Sequence, residues 1–358
     1  MKSTSFLFLI FFLATAASQL LHIEAAEPVV LLRDAPEIYF PGAPPAGQAT
    51  HGETDCNSPL HWEGDTFYIF NSAGHPYRSS GRKLFEFESK YLKCEYNNKT
   101  NGGRWIEATW KLEHGPLYGW YHFEPTGVCS GTRLTAPKIG AVRSNDNGAH
   151  WHDLGVVLTA PADSLRCDTK NYYFAGGNGD FSVMLDDAGE FLYFFISTYT
   201  GGLSEQGVAV ARMRWADREN PVGKVWKLRD GKWDETGLGG RVTSIFPAKT
   251  DWHMATADAF WGPSVHWNAH LKTYVMLLNR TMDSEWKQEG VYVSFNPDLS
   301  KPGGWSAPKK ILGDLRKDQW YPQVVGLDAG GKESDKLAGE KARLFIRGES
   351  RWEILFQQ

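Results

Sequence analysis

The stretch LYGWYHFEPTGVC, Leu117 to Cys129, starts like a buried strand and ends with an imidazole and a carboxylate two residues apart, His122 and Glu124, before Pro125 and Gly127 close the run. Side chains two apart on a strand share a face, so His122 and Glu124 point together toward whatever lies at the strand's end. Glu124 stands among Trp120, Tyr121 and Phe123. Desolvation by such rings raises a carboxyl pKa and keeps the group neutral, as a general acid requires. His122 is expected to hydrogen-bond a substrate or tune Glu124, the alternative being a plain core or surface histidine. Further acids precede apolar strands elsewhere. GETDCNSPLHW carries Glu53 and Asp55, YFAGGNGDFSVML carries Asp180 behind a Gly-rich approach, and WHMATADAFWGPSVHW carries His253, Asp258 and Trp261. Each of these Asp residues has a plainer reading as a turn acid. Carboxylates facing one another across a Trp-lined pocket point to glycosidic bond hydrolysis: one protonates the leaving oxygen, and the other activates water or attacks the sugar.

Elements that would bring these residues together are strands. Period-two alternation and short β-rich runs separated by turn clusters dominate, and no amphipathic helix of a dozen residues appears. SPLHWEGDTFYIFNS, GDFSVMLDDAGEFLYFFIST, WGPSVHWNAHLKTYVMLLNR and YPQVVGLDAGGKESDKLAGEKARLFIRG share one grammar. Each is a short apolar strand, a polar turn, then a strand rich in aromatic and aliphatic residues. Repeats of this kind suggest propeller blades. Five are expected, at roughly 55–95, 104–160, 178–230, 258–312 and 320–357, in an all-β, five-bladed β-propeller of four-stranded antiparallel blades. The last blade is a strand short, and Pro28–Leu32 is expected to complete it and close the ring. Leu117–Phe123 is read as an inner strand ending at the central funnel. SNDNGAHW, Ser144 to Trp151, fits the Ser-x-Asp-x-Gly-x-x-Trp pattern of an Asp box, a structural hairpin between outer strands. A pair of β-sandwiches is the alternative architecture.

Composition narrows the function. The 358-residue chain has a net charge of -4 and no basic block, which argues against a nucleic-acid partner. Fifteen Trp, fourteen Tyr and twenty Phe exceed the needs of a core, and their flat faces suit the C–H side of sugar rings; Trp120, Trp261 and Tyr321 are candidates for such contacts, with His122, His253 and Asp258 as polar ones. Residues 1–26 have the layout of a secretory signal peptide: Lys2, an apolar run from Phe6 to Leu13, then small residues. No later segment is apolar and long enough to span a membrane. A secreted or periplasmic location follows, with residues 27–358 as one propeller. In that compartment Cys56, Cys94, Cys129 and Cys167 are expected to form two disulfides of unspecified pairing, free buried thiols being the alternative.

Through SPLHW, GPSVHW and YPQVVG and their partner strands the chain resembles the five-bladed β-propeller glycoside hydrolases, the group containing arabinanases and xylosidases of family 43 and fructan hydrolases of family 32. The resemblance implies a first-blade Asp as base or nucleophile, a second Asp that orients the site, and a Glu as acid. Asp55, Asp180 and Glu124 take those places. Two departures mark a divergent member: Asp55 is followed by Cys56-Asn57-Ser58-Pro59 instead of directly by Pro, and Glu124 lies in the second blade, earlier than family 43 would put it. The expected protein is therefore an inverting glycosidase with Glu124 as acid, Asp55 as base and Asp180 as modulator. No cofactor is required, though His and Asp side chains at the funnel are candidates for a structural Ca²⁺. The rivals are a non-catalytic sugar-binding propeller and a polysaccharide lyase in which His122 or a Tyr removes a proton, with Arg78, Arg133 or Arg166 facing a uronate.

Overall fold

The computed structural model describes residues 27–47, 51–327 and 331–358, so the expected leader at 1–26 lies outside the described residues. Five small sheets are arranged as propeller blades. Strand β1 (Val29–Tyr39) belongs with the C-terminus. Blade one is β2 (Leu60–Glu63), β3 (Thr66–Ser72), β4 (Pro76–Lys83) and β5 (Glu86–Lys93). Blade two is β7 (Gly102–Lys111), β8 (Leu117–Pro125), β9 (Lys138–Ser144) and β10 (His150–Leu158), edged by the short β6 (Glu95–Tyr96). Blade three runs through β11 (Asn178–Leu185), β12 (Phe191–Thr198), β13 (Gly207–Arg214), β14 (Val225–Arg229) and β15 (Lys232–Thr236), with β16 (Phe246–Pro247) on β13. Blade four is β17 (Ala259–Asn268), β18 (Thr273–Thr281), β19 (Gln288–Asn296) and β20 (Lys309–Leu312). Blade five is β21 (Pro322–Gly326), β23 (Lys341–Ile346) and β24 (Glu349–Gln357), while β22 (Leu337–Ala338) pairs with β17 of blade four. Its missing strand is β1, antiparallel to β24 from Val29 opposite Gln357 to Tyr39 opposite Glu349. The edge strand is thus covered from the other end of the chain.

Middle strands such as FLYFFIST and TYVMLLNRT are buried along almost their whole length, because each blade packs a neighbour on both faces. Strict alternation fails there for the same reason. The apolar side chains fall into one cluster per blade junction. Phe70, Ile106 and Trp151 join blades one and two; Trp120, Phe181 and Phe194 join two and three; Tyr193, Val265 and Met276 join three and four. Val275, Leu344 and Phe356 join four and five, and Phe40, Phe67 and Phe345 join five and one. Burying such side chains is worth about 1.5–3 kcal/mol each and holds the blades at fixed angles.

Polar bonds cross between blades at the axis. Asn57 Nδ2 donates to Phe181 O at 3.3 Å and Pro263 O at 3.0 Å, and Gln323 bonds both ways with the Ser58 backbone at 2.7 and 2.8 Å. Four blades are tied around the segment that carries Asp55. In the Asp box, Asp146 Oδ1 accepts the His150 N–H at 3.0 Å and Ser144 Oγ accepts the Gly148 N–H at 2.8 Å. Gly148 has φ +83°, and a Cβ there would lie 2.3 Å from the Phe70 ring, so only glycine fits.

Of the four cysteines, Cys129 and Cys167 form a disulfide, and Cys56 and Cys94 are separate buried thiols. The expectation of two disulfides is corrected to one. Burial drives the Cys56 thiol well up and the Cys94 thiol up to about 12, so neither forms the reactive thiolate.

Candidate active site

The innermost strands, β2, β7, β11, β17 and β21, start at one end of the ring, and residues at those starts line a cavity of about 280 Å³. Asp55 comes from before β2, Trp105 and Glu107 from β7, Asp180 from β11, Trp261 from β17 and Tyr321 from before β21. His122 and Glu124 reach it from β8, the second strand of blade two. The strand read from sequence as innermost is therefore one place further out, and β7 takes the inner position.

Alternation on β8 puts Trp120, His122 and Glu124 on the face toward blade three, and depth separates them. Trp120 is buried in the core between blades, edge-on to Phe194 at 5.8 Å, and does not line the cavity. His122 forms the wall, and Glu124 stands at the rim with its side chain 29% exposed. Tyr121 and Phe123 turn to the opposite face, toward Phe70 and Trp151. The aromatic neighbours in sequence therefore do not enclose Glu124. Its partner is His122, whose Nε2 lies 3.1 Å from Glu124 Oε1.

Behind His122 stands Glu107, which sequence reasoning did not single out. Register along β7 and β8 slips between Ile106 and Ala108, leaving Glu107 as the extra residue of a bulge that aims it inward. Glu107 Oε2 accepts the Phe181 N–H at 2.7 Å, and Oε1 lies 3.3 Å from His122 Nδ1. A second irregularity, between Gly179 and Phe181, sets Asp180 at φ +38°, a strained value for a non-glycine residue. There the Asp180 N–H faces His122 Nδ1 at 3.0 Å, and Tyr199 donates its hydroxyl to Asp180 Oδ2 at 2.5 Å. Gly179 is required beside it, since a Cβ would stand 2.5 Å from His122 Cε1. Trp105, cross-strand partner of His122 with ring centroids 5.5 Å apart, donates its indole N–H to Asp55 Oδ2 at 3.3 Å.

Burial raises the Asp55 carboxyl to about 7, the charge of Arg347 offsetting part of the effect and Glu53, Asp180 and Glu124 adding to it. Asp180 is likewise raised to about 7 by burial, which outweighs the attraction of His122. Burial also raises Glu107. For His122 burial opposes the charged ring, but hydrogen bonds to Glu107 and Glu124 prevail and hold its pKa well above the ordinary value. Nδ1 can accept the Asp180 N–H only in the neutral ring, whereas an imidazolium directs Nδ1–H to Glu107. The charge state of His122 is thus tied to that of Glu107.

The aromatic wall is a cluster centred on Trp286, with Trp252 at 4.5 Å, Trp261 at 4.6 Å and Phe174 at 5.2 Å between ring centroids. Trp320 and Tyr321 extend it. Arg347, from the turn between β23 and β24, closes the remaining side and pairs with Glu53 at 2.9 Å and Asp318 at 2.7 Å. The Cys129–Cys167 disulfide ties the loop after Glu124 to the loop that carries Tyr173 and Phe174.

Two further residues expected at the site lie elsewhere. Asp258 is held by Arg280 at 2.8 and 2.9 Å, because alternation before β17 turns Asp258 and Phe260 away from the funnel and Trp261 toward it. His253 is buried, with Nδ1 2.6 Å from Thr169 Oγ1, and burial lowers its pKa. Glu107 carried no distinctive signal in GRWIEATW, because the bulge that turns it into the cavity appears only in the pairing of β7 with β8.

Glu107, His122 and Asp180 present ligand atoms within 4.8 Å of one another. The set does not suit Ca²⁺. That ion takes roughly six to eight oxygens, whereas one atom here is an imidazole nitrogen and the amide N–H groups of Asp180 and Phe181 already point at His122 Nδ1 and Glu107 Oε2.

No protein-family model and no curated protein matches the chain. Among solved structures it is similar to a putative exo-β-1,3-galactanase from Bifidobacterium bifidum s17, at 13% identity and TM-score 0.50 over 89% of this chain and 91% of that one. It is also similar to the exo-β-1,3-galactanase of Phanerochaete chrysosporium with galactose, at 13% identity and TM-score 0.50 over 90% and 64% of the two chains. The α-L-arabinanase of Cellvibrio cellulosa matches at 13% identity and TM-score 0.50 over 84% and 91%. The chain thus has the five-bladed β-propeller fold found in these glycoside hydrolases.

Proposed function

We propose that the protein is a glycoside hydrolase working by carboxylate acid and base catalysis. One observation carries this reading: acids from blades one, two and three meet in a single cavity walled by Trp and Tyr. In this mechanism Glu124, at the rim, protonates the glycosidic oxygen, and His122 with Glu107 behind it resupplies the proton. Asp55, held by the Trp105 N–H, takes a proton from the attacking water on the opposite side of the sugar, with inversion. Asp180 fixes His122 through its backbone and contributes negative charge as the sugar ring becomes cationic. The leader-like residues 1–26 suggest work outside the cytoplasm.

Charge favours a neutral glycan over a uronate. Glu53, Asp55, Glu107, Glu124 and Asp180 face only Arg347 and His122. Arg78, Arg133 and Arg166, named above for a lyase, do not line the cavity: Arg78 donates to the Asp146 and Asn147 carbonyls of the Asp box, and Arg166 stands by Asp168 and Asp251. The galactanase and arabinanase neighbours put β-1,3-galactan and arabinan first in a test panel, followed by xylan and fructan. New reducing ends without ultraviolet absorbance are expected on at least one of them. Glu124→Gln should lower that rate by orders of magnitude with the fold intact. An unchanged rate in this variant, or absorbance from an unsaturated product, overturns the mechanism.

A further inference from the structure

We infer that a second sugar-binding subsite adjoins the cavity, so that the substrate is a chain and not an isolated monosaccharide glycoside; this rests on the glycoside hydrolase reading above. A second hollow of about 430 Å³ lies beside the first, and Tyr173 and Trp320 line both. The two spaces are therefore separated by little more than the edges of two rings. Those rings stand nearly perpendicular, 6.3 Å apart.

Tyr172, on the outer side of this wall, is 66% exposed, and Tyr173 is 38% exposed. Neither belongs to an interblade core. A large ring that the fold leaves in water, next to a carbohydrate-type cavity, has an unused flat face of the kind that packs on the C–H side of a sugar.

The surface is built and held. Asn171 Oδ1 accepts the N–H groups of Tyr173 and Phe174 at 2.9 Å each and the Trp286 indole N–H at 3.2 Å. The Tyr172 N–H donates to Ser284 O at 3.0 Å, and the Trp320 indole N–H donates to Trp286 O at 2.8 Å. The Trp320 ring and the backbone that carries Tyr172 and Tyr173 are thus held before any ligand arrives, which lowers the entropy lost on binding. Polar groups stand where hydroxyls would lie. Lys317 pairs with Glu285, and Asp318 pairs with Arg347 at 2.7 Å, placing a charged bridge between the two spaces. Aromatic faces with interspersed charged donors and acceptors suit a neutral sugar unit, whereas an apolar peptide side chain would leave the polar groups unpaired.

The test is chain-length dependence. Ladders of one to five sugar units, prepared from each glycan of the panel above, are assayed for kcat/KM with the wild type, Tyr172→Ala and a remote control, Phe85→Ala. Binding of the same ladders to Glu124→Gln is followed by Trp fluorescence. For the wild type, kcat/KM and affinity should rise on the order of tenfold at the step that fills the second subsite, the equivalent of about 1.4 kcal/mol. Tyr172→Ala should remove that increment, and Phe85→Ala should retain it. Exposure of Tyr172 makes a folding defect unexpected, and circular dichroism checks this. Hydrolysis without a chain-length step, or a step that survives Tyr172→Ala, overturns the subsite and leaves the hydrolase reading standing. Absence of both binding and cleavage across all ladders removes the hydrolase reading and the subsite with it.

Discussion

Replacing Asp55 by Asn should make the protein more stable at alkaline pH while abolishing turnover. The Asp55 carboxyl is moved by burial from 3.8 to about 7. At 1.36 kcal/mol for each pH unit of displacement, the ionised native state carries a penalty of roughly 4 kcal/mol relative to an unperturbed carboxyl. Between these two values the folded protein binds the proton and the unfolded chain releases it, so the stability contribution is fullest below pH 4 and is lost as pH rises through 7. An amide cannot ionise, and its oxygen still accepts the Trp105 N–H. The expected gain for Asp55→Asn is about 4 kcal/mol at pH 8.5 and about 1 kcal/mol at pH 4.5, with the upper figure reduced where cavity water screens the charge. Urea unfolding at both pH values measures the difference, and hydrolysis of the panel glycan measures the loss of the base. If the variant is no more stable than the wild type at pH 8.5, or gains equally at both pH values, the electrostatic account of this cavity is wrong.

Other expectations rest on the same geometry. Because Asp55 must be ionised to serve as base and its carboxyl lies at about 7, kcat/KM should rise through neutrality; a profile flat from pH 5 to 8 contradicts that role. Glu107→Gln keeps an oxygen for the Phe181 N–H but removes the carboxylate that favours the His122 imidazolium, so the alkaline limb should move to lower pH and kcat/KM should fall about 10- to 100-fold. A fall in rate with an unmoved profile would make Glu107 a purely structural residue. Asp258→Asn leaves Arg280 without its carboxylate and should cost about 1–3 kcal/mol of stability, read from urea midpoints, with specific activity retained. Loss of activity in a folded variant would put Asp258 back into the site.

Blade spacing was legible because turn clusters and apolar strands recur, and a strand missing from blade five implied a strand supplied by the N-terminus. Order within a blade was less so. WYHFEP reads as an inner strand because it ends with His122 and Glu124 on one face, yet an aromatic-rich strand covered by neighbours on both faces is a middle one. The misreading hid Glu107, whose β7 looks ordinary in GRWIEATW. Trp120 and Trp261 show the same limit. Both are aromatics on strands that reach the cavity, and only depth along the strand separates the core ring from the cavity ring. Arg347 and Trp320 had no local signal, since a turn and a loop of blade five reach the funnel only once the ring is closed. Asp258 and Asp180 both look like turn acids; what distinguishes them is Arg280, a strand away, beside the first.

The pairing of β1 with β24 also bears on when the molecule can act. Val29 meets Gln357, so the latch joins segments far apart in the sequence. Contacts this distant in sequence form late. Before β24 pairs with β1, blade one lacks the neighbour whose Phe345 packs on Phe67, and Arg347 has not yet come to stand beside Glu53. The cavity is finished only when the ring closes. A protease cut between Tyr39 and Asp55 would separate the latch from the acid it helps to enclose.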